Sequence, residues 1–300
     1  MSWKQSGPSI PQETQTKAQY GYFDLLKKPL EIYLFIDPLC PECWALDPII
    51  KKLTLEYGRF FTIRPILSGQ LSALNQTSLG KPRELKEIWE QTSNRTGMCC
   101  DGDIWLEDPI IYPVNVSLAI KAAELQGIKA GRRYLRKIQE HAFLTKTDIS
   151  KENNLLFCAE EAMLDIDEFK ADLHSNSAKK ALQCDVKLSK EMDIERTPAI
   201  VFFNESAEDE GLKLTGLYDY DIYVKVLKQM LEKDVTPAKK PKLEEFISYF
   251  QFIGSKEIAV IYDWSPEKAC KEMKKLQLKQ IVTAIPVKNG FFWRYNTSNK

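Results

Sequence analysis

Short apolar runs and helical stripes alternate along this chain, and their order sets the architecture. Residues 30–36 (LEIYLFI) are continuously apolar but for one glutamate, which predicts a strand buried on both faces. Leu46, Ile49, Ile50, Leu53 and Tyr57 then recur at helical spacing, and Gly58 supplies a stop. Residues 60–67 predict a second strand. Its Pro65 has no N–H for a ladder, so that end belongs at an edge or a bulge. From about 83 to 193 the chain reads as mostly helical. Val116, Ala119, Ile120 and Ala123 form one stripe, and Tyr134, Leu135, Ile138 and Ala142 form another. Residues 98–109 interrupt this block as a loop.

Two more strands follow, at 199–203 directly after Thr197-Pro198 and at 212–215, and then an amphipathic helix at 219–231. Residues 233–242 (KDVTPAKKPK) are polar and carry Pro237 and Pro241, the composition of a linker. Beyond it the pattern predicts a helix near 243–252, a strand at 258–262, a helix at 266–276, and strands near 281–287 and 291–295. The Asn289-Gly290 dipeptide between the last two is a hairpin signal. The expected organisation is a polar segment at 1–27, an α/β domain at 28–232 with a helical insertion at about 83–193, a linker at 233–242, and a small α+β domain at 243–300. A lysine-bearing helix followed by a hairpin suggests a winged-helix-like arrangement for the last part.

Composition narrows the function classes. The 300 residues hold 42 Lys+Arg and 42 Asp+Glu, so the chain has no global attraction for nucleic acid or for an anionic membrane. No run approaches the roughly 18 apolar residues a spanning helix needs. Residues 1–27 lack the apolar core of a secretory signal. Seven cysteines, an odd number in a long chain, do not resemble a disulfide scaffold. Together these predict a cytoplasmic protein with mostly reduced thiols.

The candidate chemistry is Cys40-Pro41-Glu42-Cys43, placed after a buried strand and at a helix start. There the helix dipole and unpaired N–H groups favour the thiolate of the first cysteine, and the second can resolve a mixed disulfide. Glu42 acts in the opposite sense, because a carboxylate beside a thiol disfavours its anion. Three readings of Cys40 and Cys43 stand open: a working dithiol oxidoreductase, a redox or metal sensor, and an inherited pair with no essential role. Pro48 fits the kinked active-site helix of thioredoxins, and Thr197-Pro198 resembles the thioredoxin cis-proline element that lies against the cysteine pair. The long helical insertion resembles the arrangement of DsbA.

Several longer segments carry a closer resemblance: KPLEIYLFIDPLCPECW at 28–44, YGRFFT at 57–62, KAAELQG at 121–127, DEFKADLHS at 167–175, ALQCD at 181–185, KEIAVIYD at 256–263 and EMKKL at 272–276. On these the chain is similar to the YjbH (SpxH) adaptor family of Gram-positive bacteria. The resemblance implies a DsbA-like thioredoxin fold and a cytoplasmic adaptor that binds the transcription regulator Spx and promotes its degradation by the ClpXP protease, with ClpX as a functional partner. Some members carry a His-rich N-terminus linked with zinc; here no His precedes His141.

Lesser candidates complete the reading. Cys99 and Cys100 form a loop pair that could join Cys40 and Cys43 in a four-thiolate zinc site, or simply pack. Trp44 is either a partner-contact aromatic or a cover over the cysteine turn. Lys268, Lys271, Lys274, Lys275 and Lys279 mark a basic helix face. Glu267 and Glu272 interrupt it, which favours a solvated or protein-docking face over nucleic-acid binding.

Overall fold

Strand β1 (Leu30–Ile36) runs into helix α1 (Pro41–Tyr57), which returns to β2 (Phe61–Leu67). The structure, a computed structural model, describes residues 28–69, 81–204 and 211–297. The polar segment expected at 1–27 lies outside the described residues. β2 is parallel to β1, as a strand–helix–strand crossover requires. After a helical stretch the chain re-enters the sheet as β3 (Ala199–Asn204), antiparallel to β1, and as β4 (Leu212–Thr215), antiparallel to β3. The order is β2-β1-β3-β4. Pro65 lies in the edge strand β2, where a missing donor is tolerated.

Period-2 alternation divides the sheet between two faces. Leu30, Ile32, Ile200 and Phe202 pack with Leu46 and Leu53 of α1 and with Tyr223 and Leu227 of α9 (Tyr220–Leu231). Phe35, Ile66, Ala199 and Val201 face the other way, toward Leu188.

The insertion is helical, as the stripes predict: α2 (Pro82–Thr96), α3 (Ile104–Glu107), α4 (Pro113–Leu125), α5 (Ile128–Leu144), α6 (Glu152–Glu161), α7 (Ile166–Leu173) and α8 (Asn176–Glu191). The short α3 lies inside the stretch expected as a loop. The starts are written in the sequence. α1, α2 and α4 open with proline, whose missing N–H would have no partner there anyway. Asp165 caps α7 by accepting from the Glu168 N–H (3.0 Å), and Ser175 caps α8 by accepting from Ala178 (3.1 Å). The insertion is tied to the sheet by a buried charge. Asp185 of α8 accepts from the Leu67 N–H at 2.9 Å and pairs with Lys121 of α4.

Residues 233–242 contain no helix or strand, but they are fastened to the body rather than free. Ala238 donates its N–H to the Glu56 carbonyl (2.8 Å), and Lys240 pairs with the Glu56 carboxylate (3.1 Å) and with Asp263. The C-terminal part comprises α10 (Leu243–Phe250), β5 (Phe252–Gly254), α11 (Ser255–Tyr262), α12 (Pro266–Leu278), β6 (Val282–Val287) and β7 (Gly290–Tyr295), with sheet order β5-β7-β6. This helix–strand–helix–helix–hairpin order is that of a winged helix.

One element differs in kind from the expectation. The strand expected at 258–262 is helix α11, and a short strand, β5, precedes it. An apolar run of this length has no decisive periodicity. Glu257 decides it: its carboxylate accepts from the Gly254 N–H (2.8 Å) and satisfies the first turn of a helix.

Candidate functional site

At the end of β1, Asp37 turns the chain. Its Oδ1 accepts from the Leu39 N–H (2.8 Å), and its carbonyl accepts from the Cys40 N–H (3.1 Å). Cys40 thereby becomes the N-cap of α1. Its Sγ accepts from the Cys43 N–H at 3.4 Å, and Pro41 fills the first helical position. The Thr197-Pro198 peptide is cis, and the Cys40 thiol donates to the Thr197 carbonyl at 3.6 Å. The structure thus brings together the four residues that the sequence singled out, Cys40, Cys43, Thr197 and Pro198. Both cysteines are free thiols.

The two thiols differ in setting. Cys40 is partly exposed. Cys43 is buried, and its Sγ accepts from the Asp37 N–H at 3.4 Å. Burial, reinforced by Cys40, pushes the Cys43 thiol well above its usual range. Burial likewise raises the Asp37 carboxyl to about 7, against the opposing hydrogen bond from Leu39. The sequence reading missed Asp37, although an Asp-Pro pair between a buried strand and a helix start is a turn signal. Glu42 does not act as an uncompensated charge, because Arg95 of α2 pairs with it.

Trp44 belongs to the core, not to a partner-contact surface. It is fully buried, stacks with Phe143 (5.5 Å between centroids) and with Phe292 of β7 (6.2 Å), and donates its Nε1–H to the Cys99 carbonyl at 2.9 Å. The Arg136 guanidinium lies 4.4 Å from the Trp44 ring. The residue next to Cys43 therefore joins the insertion to the C-terminal part.

Cys99 and Cys100 are also buried. A Cβ added to Gly290, in the β6–β7 turn, would meet the Cys99 Sγ at 2.9 Å, so that thiol already packs against the hairpin. Burial raises Cys99 to about 11 and carries Cys100 well above its usual range. Among the described residues no group of three or more His, Cys, Asp or Glu could hold a metal ion. The four-thiolate zinc arrangement of Cys40, Cys43, Cys99 and Cys100 therefore does not fit the donor geometry.

A buried ionic cluster fixes the C-terminal part over α1. Glu257 of α11 is fully buried. It accepts from Arg136 of α5 (2.9 Å) and from Lys51 of α1 (2.5 Å), and both cations also reach Asp47. Those two cations hold the Glu257 carboxyl well below the usual carboxylate range despite its burial. At the other end, Lys288 of the hairpin turn bonds Glu90 (2.8 Å), Asp101 (3.0 Å) and Asp103 (2.7 Å). Between α1, the start of α9 and α11 lies a cleft of about 680 Å³, lined by Ala45, Ile49, Tyr218, Ile222, Val260 and Trp264.

A thioredoxin family model matches residues 33–225. The ClpXP adapter protein SpxH of Bacillus subtilis (strain 168) is 53% identical over 270 residues, covering 89% of this chain and 90% of that protein. The chain belongs to the SpxH family. The SpxH of Halalkalibacterium halodurans is 50% identical over 277 residues, covering 90% of each chain. Among solved structures, the cytosolic disulfide reductase DsbM from Pseudomonas aeruginosa aligns with a TM-score of 0.52 at 16% identity, covering 67% of this chain and 98% of that one. At that identity the likeness establishes the thioredoxin-like fold with its helical insertion. No helix among the described residues is long and apolar enough to cross a membrane.

Proposed function

We propose that this protein is a cytoplasmic adaptor that binds the transcription regulator Spx and promotes its degradation by the ClpXP protease. One observation carries the reading: about half of the residues are identical to proteins named ClpXP adapter protein SpxH, over nine-tenths of both chains. An adaptor needs binding surfaces rather than a reaction, and the architecture suits that need. The α/β body (28–232) and the winged-helix-like module (243–300) are read as two units clamped together by the Glu257 cluster. The cleft at their junction offers a mixed surface to a protein segment, with Ile49, Ile222 and Trp264 beside Lys52, Arg95 and Asp219. The segment at 233–242 is fastened along α1, so the module acts as part of one rigid surface and not as a tethered arm. Calorimetric titration against Spx under reducing conditions tests the reading. Tight, saturable binding is expected; absence of binding by the intact protein would contradict it.

The second reading is thiol–disulfide exchange, and the contact of Cys40 with the Thr197 carbonyl at the cis-proline favours it. The partly exposed Cys40 would attack a substrate disulfide and form a mixed disulfide, expelling one substrate thiolate. Cys43 would then displace the second substrate sulfur and close the Cys40–Cys43 disulfide. Burial pushes the Cys43 thiol well above its usual range, which slows its attack on the mixed disulfide. An insulin-reduction assay with dithiothreitol separates the two readings. Turnover that is lost in Cys40→Ser would support exchange; background rates would leave the adaptor reading alone.

A further inference from the structure

We propose that the exposed face of α12 is a docking surface for an acidic segment of a protein partner. The inference goes beyond the adaptor reading and stands on the surface itself. Ala269, Met273 and Leu276 bury one side of α12 in the core of the C-terminal module. Helical spacing then turns Lys268, Lys271, Lys274, Lys275 and Leu278 outward, with Lys279 at the end, and all six are exposed. Five lysines share this stretch with only Glu267 and Glu272, in a chain whose total charge is zero. Glu272 is occupied by Lys275 at 2.7 Å, and the Lys268 ammonium lies 4.8 Å from the Trp264 ring. Among the described residues, Lys271, Lys274 and Lys279 form no ion pair. The face is thus a local excess of unneutralised cations around an apolar contact point, since Leu278 is 86% exposed. A segment carrying carboxylates with one or two apolar residues complements it.

The winged-helix order places α12 where nucleic-acid-binding members carry their recognition helix, but the rest of this module favours a protein occupant. The wing, the β6–β7 hairpin, is fastened inward. Val287 packs against the main core, Gly290 lies against the Cys99 thiol, and the Lys288 ammonium is neutralised by Glu90, Asp101 and Asp103. Lys288 at the wing's tip is therefore not available to a phosphate backbone, the wing's other cation, Arg294, lies over the Phe252 ring at 5.6 Å, and Glu267 and the exposed Leu278 interrupt the path that phosphates would follow.

The test uses the full chain and three fluorescein-labelled probes: a peptide of repeated Glu-Glu-Ala-Leu units, its Lys-Lys-Ala-Leu counterpart, and a short DNA duplex. Binding is read by anisotropy at low and at physiological salt. The variant Lys271→Glu, Lys274→Glu, Lys279→Glu is compared with a control of equal charge change on α8, Lys179→Glu, Lys180→Glu, Lys190→Glu, and thermal melts verify that both fold. The wild type and the control are expected to bind the acidic peptide, more weakly as salt rises, while the α12 variant binds at least about tenfold more weakly. Equal affinity of the two variants for the acidic peptide, or binding of DNA in preference to it through the same lysines, would overturn the proposal. Loss of Spx binding by the wild type would count against the adaptor reading and leave this result standing.

Discussion

Replacing Glu257 by Gln probes the joint that makes the two parts one body. The wild-type carboxylate is fully buried and neutralises Arg136 and Lys51, whose side chains are themselves mostly buried. Glutamine keeps the shape and an acceptor for the Gly254 N–H but removes the charge. Removing one partner of a buried ion pair costs about 3–5 kcal/mol, because the charges left behind stay desolvated. Here Asp47 remains 2.6 Å from Lys51 and 2.7 Å from Arg136, and Glu140 remains 2.7 Å from Arg136, which places the effect at the low end, about 3 kcal/mol. For a chain of this size that lowers Tm by roughly 5 °C. The pH dependence has a definite sign. The folded-state pKa of Glu257 is depressed, so its contribution is complete above the ordinary glutamate value and disappears as pH falls through the folded value. Urea denaturation of wild type and Glu257→Gln across pH is the assay. A difference below about 1 kcal/mol near neutrality, or one that stays undiminished in acid, would refute the reasoning.

Further outcomes follow from the same geometry. Trp44→Ala removes a fully buried indole between Phe143 and Phe292 and is expected to lose about 3–5 kcal/mol in urea denaturation; a loss under about 1 kcal/mol would show that the ring is not held in the core. In the Cys40→Ser, Cys43→Ala double variant, Spx affinity is expected to stay within about twofold of wild type by calorimetry, since an adaptor's contacts need no thiol exchange; a hundredfold loss would return the cysteines to the centre. Alkylation by iodoacetamide near neutral pH, followed by mass spectrometry, is expected to mark the exposed Cys184 ahead of Cys43, Cys99, Cys100 and Cys158, all buried with thiol pKa values raised by desolvation. Equal labelling of all five would contradict the burial.

The parts of the fold legible in the sequence are those with strong local signals. The 30–36 run, the helical stripes with the Gly58 stop, and the Asn289-Gly290 hairpin each constrain the backbone within a few residues. The cysteine pair and Thr197-Pro198 were visible because their chemistry dictates residue type and setting. The joint was not visible, because its partners are far apart in sequence: Glu257 meets Lys51 and Arg136, and Lys288 meets Glu90. Trp44 was ambiguous for the same reason, since Phe292 lies nearly 250 positions away. Similarly, Glu42 reads as a destabilising neighbour of Cys43 until Arg95 is brought to it by the packing of α2 on α1. The α11 helix was mistaken for a strand because Glu257 has to be satisfied in three dimensions before its role at the helix start is evident.

The segments that carry the family resemblance acquire a physical meaning in this light. KAAELQG and ALQCD contribute Lys121 and Asp185, a buried pair that ties the insertion to β2. KEIAVIYD contributes Glu257 and also Asp263, which pairs with Lys52 and Lys240. Much of what these segments specify is therefore the joining of elements. The two surfaces proposed for partners, the cleft beside α1 and the basic face of α12, are presented by that assembly.

The most direct test of the central claim is the rate of Spx degradation by purified ClpXP, with and without this protein, under reducing conditions. The adaptor account predicts acceleration of at least about tenfold, with the protein itself recovered intact, as expected for a tether that raises effective substrate concentration. An unchanged rate at saturating protein would contradict it.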